Sequence, residues 1–216
     1  MERTRNLLSS KWNRFLERVR NEGVLFALLH YSRRVGILVQ PFYYMKETLP
    51  AEFPEHLTKL PEGFEFSAFG RDDVMEISQL EERKGYVNER YVVDKLDKGD
   101  ACLGVKRHGR IVAFTWYSLA QSDSHIYPVT MQKNEAYLYD MYVLKEYRGF
   151  NIAPILRYRT YEVLTSMGRD TFYSVTELSN SASTRFKQKL GAQPVLLGIY
   201  IRFASKYRFR WVLRRY

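Results

Sequence analysis

The stretch YDMYVLKEYRGFNIAP, residues 139–154, carries the pattern that decides the fold. Residues 137–144 have the period-2 character of a strand, the arginine–glycine pair that follows is typical of a short turn, and residues 153–167 predict a long helix. Pro154 then falls in the first helical turn, where a missing N–H costs nothing. Because the free N–H groups and the positive dipole end of a helix attract anions, this strand–turn–helix junction predicts a pyrophosphate site.

Strand and helix patterns alternate regularly from residue 64 onward. Apolar residues at three-residue steps, such as Val74, Ile77 and Leu80, indicate helices, and the turn at His108 and Gly109 indicates a hairpin. The predicted strands are 64–69, 101–106, 111–119, 137–144, 171–176 and 195–203, and the predicted helices are 72–82, 88–96, 153–167 and 181–190. This order, βααβββαβαβ, predicts an α/β (α+β) fold in which a mixed sheet carries helices on both faces.

Two motifs in this order resemble those of a known family. The stretch EYRGFNIA, residues 146–153, resembles the coenzyme A-binding signature R-x-x-G-x-[GA] of GNAT acetyltransferases, with Asn151 where the family has glycine. The stretch NSASTRFKQKLGA, residues 180–192, is similar to the family's N-x-A-S-x-R-x-x-x-K-x-G segment. The resemblance covers roughly residues 62–204. Asparagine tolerates left-handed backbone geometry better than most residues, so a cradle of backbone amides is compatible with Asn151.

The resemblance implies a GNAT-like fold, with a mixed and mostly antiparallel central sheet flanked by helices. It also implies acetyl-CoA as the acyl donor and no metal. The donor would lie where the strands 137–144 and 171–176 splay apart, with a backbone amide around Met141 to Val143 polarising the carbonyl. The residues implied in cofactor binding are Met141, Val143, Arg148, Gly149, Phe150, Asn151, Ile152, Ala153 and Asn180, the last on the pantetheine arm.

The proton-transfer residues are less defined by the pattern. Acceptor amines are mostly protonated at neutral pH, so a base is needed, and the candidates are Asp140 and Glu177. Asp140 lies in an apolar strand, where a carboxylate either takes part in catalysis or pairs with a nearby arginine. Glu177 is either a base or a solvated residue at the end of its strand. The family's thiolate-protonating tyrosine is replaced by Lys187, which leaves water, Tyr139 or Tyr173 as alternatives.

The acceptor site is expected to be formed by the first helices and by the loop between the last two strands of the central meander. Candidate acceptor-binding residues are Tyr86, Tyr117 and His125, and His125 is either a proton relay or an ordinary loop histidine. The chain contains 17 tyrosines, which suit sugar or amino-acid moieties but are equally common in cores. We therefore expect an N- or O-acetyltransferase that acts on a small-molecule or glycan-linked acceptor by direct transfer in a ternary complex.

The chain divides into three predicted parts: an N-terminal segment with a proline-containing connector (1–60), a GNAT domain (61–204) and a basic aromatic tail (205–216). Residues 1–48 read as a basic amphipathic helical segment, which either docks on the domain or rests on an anionic membrane. The tail alternates basic and aromatic residues, as a terminal strand or an interfacial segment would.

The composition narrows the class of protein. The formal net charge of +10 favours an anionic partner, namely nucleic acid, a membrane or a phosphate-rich cofactor, and no nucleic-acid motif is present. A single cysteine, Cys102, in an apolar run predicts a buried structural thiol and a cytoplasmic protein, peripheral at the inner membrane face if the basic segments bind lipid. We expect a monomer or homodimer. The alternative functions are a non-catalytic CoA-binding domain and a nucleic-acid-binding protein.

Overall fold

The computed structural model describes Arg20, Ser32 and residues 36–122, 124–204 and 206–216. From residue 36 onward the described chain forms eight strands and four α-helices. The strands are β1 (Ile37–Glu47), β2 (Phe64–Phe69), β3 (Ala101–Arg107), β4 (Arg110–Ser118), β5 (Glu135–Val143), β6 (Thr171–Glu177), β7 (Gln193–Phe203) and β8 (Tyr207–Arg215). The helices are α1 (Arg71–Gln79), α2 (Glu89–Asp97), α3 (Ile152–Ser166) and α4 (Ser181–Lys189).

All eight strands belong to one sheet, in the order β2-β3-β4-β5-β6-β1-β7-β8. Every neighbouring pair is antiparallel except β5 and β6, which run parallel. The predicted mixed, mostly antiparallel sheet is therefore confirmed, and the predicted element order holds from β2 to β7.

Helices cover both faces of the sheet, as predicted. Val74 and Ile77 of α1 pack in one buried cluster with Phe114 of β4. Ile152 of α3 packs in another with Ala113, the neighbouring residue of the same strand. Because successive strand residues point to opposite faces, α1 and α3 lie on opposite sides of the sheet.

The helices begin and end at residues with the expected capping chemistry. Asn88 accepts a hydrogen bond from the Tyr91 amide at 2.9 Å and caps α2. Gly168 follows α3 with φ of +78°, and Gly191 follows α4 with φ of +80°, the left-handed geometry that favours glycine at helix ends. No helix in the part of the chain that the structure describes has the length and apolar character needed to cross a bilayer.

The prediction of helix up to about residue 48 is wrong for Ile37–Glu47, which is strand β1. This strand is inserted between β6 and β7 and pairs antiparallel with both. Its alternating burial and its content of Ile, Val, Phe and Tyr suit a sheet interior. The helix predicted in residues 1–35, and its docking on a domain or membrane, lie outside the described residues apart from Arg20 and Ser32.

The C-terminal tail forms the strand that was one of its two predicted alternatives. β8 pairs antiparallel with β7 from Phe203 opposite Tyr207 to Leu196 opposite Arg215. Every β8 residue is exposed, and the strand lies at one edge of the sheet.

Two glycines allow aromatic rings to lie flat against the sheet. A Cβ added to Gly198 of β7 would lie 2.5 Å from Cζ of Phe42, and one added to Gly104 of β3 would lie 2.0 Å from Cζ of Phe69. Phe42 is 1% exposed and belongs to β1. Its contact with Gly198 therefore fixes the inserted strand against its neighbour.

We predict that Gly198→Ala lowers the free energy of unfolding by about 2 kcal/mol, because the new methyl group overlaps the Phe42 ring. Adding Phe42→Leu removes the overlapping ring atoms, so the double variant should be more stable than the sum of the two single effects by about 1 kcal/mol. Urea unfolding of the four proteins measures this coupling. Strictly additive effects would contradict the insertion of β1 beside β7.

Candidate active site

A cleft opens where β5 and β6 separate. The two strands pair at only three positions, the last being Tyr137 opposite Tyr173. β5 then continues to Val143 and β6 to Glu177 without further pairing between them. The backbone groups of the second half of β5 have no strand partner on this edge, so they are available to a ligand.

The turn between β5 and α3 leads the chain into this cleft. Gly149 has φ of +92°, and Asn151, the residue before the helix, has φ of +59° and ψ of +18°. Asn151 thus adopts the left-handed geometry it was expected to tolerate in place of glycine. The exposed Arg148 side chain donates from Nε to the Val143 carbonyl at 3.2 Å, which holds the turn against the end of β5.

The side chains of Phe150 and Ile152 are apolar and give no hydrogen bonds to a phosphate. Phe150 is half exposed and its ring centroid lies 6.4 Å from that of Phe64. Ile152 is buried in the core beside Val112. Their contribution to a ligand would come from the backbone alone, at the N-terminus of α3.

Asn180 caps the second helix at the cleft. Its Oδ1 accepts a hydrogen bond from the Ser183 amide at 3.1 Å, so the side chain orders the first turn of α4. Both residues line the cleft.

The cleft has a volume of about 930 Å³. The predicted site residues that line it are Tyr86, Asp140, Met141, Val143, Arg148, Ala153, Glu177 and Asn180. Its other lining residues are Arg83, Ser124, Ile126, Tyr137, Leu138, Tyr139, Tyr142, Arg157, Val175, Thr176, Ala182, Ser183, Phe186 and Lys187. The cleft therefore brings together both predicted base candidates and both helix N-termini.

Asp140 is held in an ion-pair cluster. It has φ of +46° and lies where the β4–β5 register shifts. Arg83 Nη2 donates to its Oδ1 at 2.6 Å, Tyr91 Oη donates to its Oδ2 at 3.3 Å, and Lys95 Nζ lies 3.6 Å from Oδ2. Of the two interpretations of Asp140, the structure shows the pairing with an arginine.

Lys95 is the buried cation of this cluster. Its Nζ lies 3.9 Å from the ring centroid of Tyr139, 4.3 Å from that of Tyr91 and 4.8 Å from that of Trp116. Burial lowers the pKa of Lys95 to about 8, although Asp140 opposes the shift. The aromatic rings and the carboxylate of Asp140 together stabilise the protonated form of Lys95, which burial alone would disfavour.

The carboxylate of Glu177 has fewer partners than that of Asp140. Its Oε1 accepts a hydrogen bond from Gln40 Nε2 at 2.7 Å, and its side chain is half-buried at the cleft. Gln40 belongs to β1, so the inserted strand helps to orient this carboxylate.

The predicted acceptor residues are dispersed. Tyr86 is 80% exposed at the cleft, whereas Tyr117 is buried in the core beside Leu138 and is not among the lining residues. His125 is also not a lining residue, although both its chain neighbours are. Its ring packs against Tyr200, at 5.5 Å between centroids.

The electrostatic environment of His125 favours its neutral form. Burial, with additional repulsion from Arg202, Arg208 and Arg210, lowers its pKa. A neutral imidazole can accept a proton, but its position beside rather than along the cleft gives it no direct contact with the cavity.

A buried charge network closes the floor of the cleft. Glu47 of β1, whose side chain is fully buried, lies 3.5 Å from Arg157 Nε and 3.9 Å from Lys187 Nζ. Ser174 and Tyr161 donate hydrogen bonds to its two carboxylate oxygens. The network links β1, β6, α3 and α4 through one carboxylate.

The two cations share a single buried carboxylate. Burial would raise the pKa of Glu47, but Arg157, Lys187 and the hydroxyl hydrogen bonds outweigh it and hold the pKa below its usual value. Burial lowers the pKa of Lys187 to about 8, against the attraction of Glu47 and with repulsion from Arg157. Arg157 and Lys187 both line the cleft.

Sequence reasoning missed Glu47 because its segment was predicted to be helical. The available signal was the run of Val39, Phe42 and Tyr43–Tyr44 after Gly36, which is typical of a strand. Lys187 was recognised only as a substituted position, and no local pattern predicts that Glu47 lies beside it.

Cys102 lies in the core and is not a lining residue of the cleft. Cys102 is 1% exposed and burial raises the pKa of its thiol, as expected for a structural cysteine. Across the described residues, no three His, Cys, Asp or Glu side chains converge to hold a metal ion.

The sequence model of a family described as the acetyltransferase (GNAT) family matches residues 71–192, which is more than half of the 216 residues. Among curated proteins, none matches this sequence.

Several solved structures share the fold at low sequence identity. A Drosophila protein is 18% identical with a TM-score of 0.58, over 88% of this chain and 58% of that one. A GNAT-family protein from Novosphingobium aromaticivorans is 21% identical with a TM-score of 0.53, over 76% and 65%. The GCN5-related N-acetyltransferase from Sphaerobacter thermophilus is 16% identical with a TM-score of 0.57, over 82% and 56%. The chain thus spans less than two thirds of each of these structures.

We predict that Asp140→Asn lowers the free energy of unfolding by about 3 kcal/mol, because it leaves Arg83 and Lys95 without their carboxylate. Asp94→Asn is the matched control, since Asp94 pairs with Lys98 at an exposed surface. That variant should cost less than about 1 kcal/mol. Urea unfolding measures both, and equal effects would contradict a structural ion pair at Asp140.

We predict that wild-type protein gains stability relative to Lys187→Met as the pH rises from about 8 toward 10.5, by about 3 kcal/mol in all. The folded-state pKa of Lys187 lies below its ordinary value of 10.5, so the unfolded chain binds more protons in this window. Urea unfolding at several pH values measures the difference. Lys189→Met, an exposed change on the same helix, is the control; a pH-independent difference for Lys187→Met would refute the prediction.

Proposed function

Because the chain belongs to the acetyltransferase (GNAT) family, we propose that it transfers the acetyl group of acetyl-CoA directly to an acceptor held in the same cleft. The acceptor is a small molecule or a glycan-linked group, and the acetylated atom is nitrogen or oxygen. Both substrates are bound together, since the cleft of about 930 Å³ runs continuously past both base candidates and the start of α3.

The separation of β5 from β6 carries this proposal. It exposes the backbone edge of β5 beside the N-terminus of α3, where Arg148, Gly149 and Asn151 shape a turn with two left-handed residues. Such a turn directs backbone N–H groups outward, and these bind phosphate oxygens.

The residues present fit acetyl-CoA. Ala153 is small and lines the cleft at the helix start, so a diphosphate can approach the amides closely. Arg148 adds positive charge at the cleft mouth, and Asn180 lies where a pantetheine arm would pass between α3 and α4. When bound, acetyl-CoA would supply an activated acyl group, and the amides around Met141, beyond the last pairing of β5 with β6, would stabilise negative charge on its carbonyl oxygen.

Glu177 is the proposed base. It lines the cleft at the end of β6, and among the described residues its carboxylate accepts one hydrogen bond, from Gln40. Asp140, by contrast, is bound by Arg83, Tyr91 and Lys95, so its lone pairs are already committed to stabilising cations. Glu177 therefore holds the acceptor's proton after attack, and Asp140 orients Arg83 at the acceptor end.

The acceptor end of the cleft lies at Arg83 and Tyr86. Tyr86 is highly exposed, so it offers a ring face for stacking on a sugar or a planar group. Arg83 is paired with Asp140, so this end presents an ion-paired guanidinium rather than a free one. A neutral or weakly polar acceptor suits this lining better than a strongly charged one.

The non-catalytic alternative loses one of its two supports. Its two supports are Asn151 in place of glycine and Lys187 in place of tyrosine, and Asn151 has the left-handed backbone geometry that glycine would provide. The cytoplasmic location, the contact with an anionic membrane and the oligomeric state stay predictions.

We predict that acetyl-CoA binds wild-type protein saturably in calorimetric titrations, that Arg148→Glu weakens binding about tenfold or more, and that Asn151→Gly binds at least as well as wild type. Glycine keeps the left-handed turn, whereas glutamate repels the phosphates. Arg110→Glu, which makes the same charge change in the β3–β4 hairpin, is the matched control and should bind normally.

Failure of wild-type protein to bind acetyl-CoA would contradict the proposed function. Equal weakening by Arg148→Glu and Arg110→Glu would show a general charge effect and would remove the turn at Arg148 from the site.

A further inference from the structure

Three arginines lie together on one face of the sheet, at the strands β7 and β8. Arg202 of β7 pairs with Arg208 of β8, and Tyr200 of β7 pairs with Arg210 of β8. Residues that lie directly opposite each other, or two positions apart on one strand, share a face of the sheet. All three arginine side chains therefore lie on the face that Tyr200 occupies.

Arg210 is held in place by the loop that follows β4. Its Nη2 donates to the His125 carbonyl at 2.7 Å, and its Nε donates to the Ile126 carbonyl at 3.0 Å. Its Cζ lies 5.6 Å from the ring centroid of Tyr200, against which the His125 ring also packs. The position of this guanidinium is therefore fixed before any ligand binds.

The arginine cluster, Arg202, Arg208 and Arg210, has no anionic partner in the part of the chain that the structure describes. None of the three forms an ion pair with a described carboxylate. Burial and, after it, repulsion from these same three arginines lower the pKa of His125, which lies among them. Cations that converge in this way repel one another, so an anion bound between them is strongly favoured.

Protection of the sheet edge does not account for the arginine cluster. Charged side chains on an edge strand do discourage pairing with another chain, and this suffices for Arg208 and Arg210. Arg202, however, lies on β7, which has a neighbouring strand on both sides, and its side chain is half-buried. Its convergence with the two arginines of β8 therefore indicates a binding role.

The cluster lies on the same side of the sheet as the acceptor end of the cleft. Glu177 pairs with Phe42, and Gln40, two positions away on β1, pairs with Tyr200, so Glu177 and Tyr200 share a face. Tyr139 packs both against the buried cluster that contains Tyr200 and against the one that contains the α1 residues. The arginines, Glu177 and α1 are therefore on one side of the sheet.

The distance from Glu177 to the arginine cluster is within the reach of a small molecule. Neighbouring strands lie about 4.8 Å apart, so the backbones of β7 and β8 are about 10 and 14 Å from that of β6, which ends at Glu177. An acceptor that reacts beside Glu177 can thus place a second group on the arginines. Its reacting end, beside Arg83 and Tyr86, stays neutral.

We propose that Arg202, Arg208 and Arg210 form a phosphate-binding subsite for the acceptor, which carries a phosphate group remote from the atom that is acetylated. The inference rests on the proposed function, because it assigns the subsite to the acceptor of that transfer. The oxygens of a phosphate accept hydrogen bonds from several guanidinium groups at once, whereas one arginine pairs fully with a carboxylate. The cluster therefore selects phosphorylated acceptors over unphosphorylated ones.

The test uses the complex with CoA, in which the donor's own phosphate site is filled and no transfer takes place. Aminohexyl phosphate, aminohexanol and inorganic phosphate are titrated into it by calorimetry, in a buffer free of phosphate. Aminohexyl phosphate should bind about tenfold or more tightly than aminohexanol. The double variant Arg202→Gln/Arg208→Gln should remove this difference and should weaken inorganic phosphate about tenfold or more.

Arg110→Gln/Arg214→Gln is the matched control, since it removes the same charge away from the cluster. Arg110 belongs to the β3–β4 hairpin, and Arg214 pairs with Leu197, an odd number of positions from Tyr200 and so on the other face. This variant should bind the phosphates like wild type. Equal weakening in the two double variants, or no binding of either phosphate by wild type, would overturn the proposal.

A lipid headgroup offers the same phosphate chemistry, so sedimentation with vesicles of phosphatidylcholine and phosphatidylglycerol separates the two sources. Arg202→Gln/Arg208→Gln should sediment to the same extent as wild type. A loss of sedimentation in this variant, with no binding of the soluble phosphates, would assign the cluster to lipid and overturn the acceptor subsite. If wild type binds neither CoA nor acetyl-CoA, the proposed function fails, and titration of the free protein with inorganic phosphate still decides whether the cluster binds phosphate.

Discussion

Strands β5 and β6 are hydrogen-bonded side by side only at their beginnings, and the site depends on where they separate. Parallel pairing ends at Tyr137 and Tyr173, and the later part of β5 presents unpaired backbone to a cleft. Unpaired amides are costly in a buried sheet but useful to a ligand that can accept their hydrogen bonds. The turn into α3 adds further free amides at the same place, so the two sets of donors converge.

Beside the separated strands lies the buried carboxylate of Glu47. β1 lies beside β6 and brings this carboxylate under the cleft, where it contacts Arg157 of α3 and Lys187 of α4. Removing a buried carboxylate of this kind would leave two cations unpaired, so the network ties the inserted strand to both helices. The same β1 also supplies Gln40 to Glu177. One strand from outside the matched region therefore contacts both Glu177 and the charge network beside the cleft.

The elements from β2 to β7 were predictable because each has a local signal. Asn88 and Asn180 mark helix starts, Gly168 and Gly191 mark helix ends, and the motif around Arg148 identifies the junction at the cleft. The strand β1 was not predicted, because the helical pattern expected upstream was extended through it and Pro41 argues against a central strand. Its position between β6 and β7, and hence the contact of Glu47 with Lys187, depends on pairings more than a hundred residues apart in sequence, which no local pattern encodes. The role of Asp140 was open in the sequence, because its partner Arg83 lies 57 residues away along the chain.

The central claim is that acetyl-CoA lies along the open edge of β5 and against the start of α3. Hydrogen–deuterium exchange with and without acetyl-CoA tests it directly, since it reports on the backbone amides that the claim assigns. We expect slower exchange in peptides that cover Met141 to Val143 and Arg148 to Ala153, with no change in β2, which lies at the far edge of the sheet. Protection confined to other regions, or none at saturating acetyl-CoA, would contradict the account.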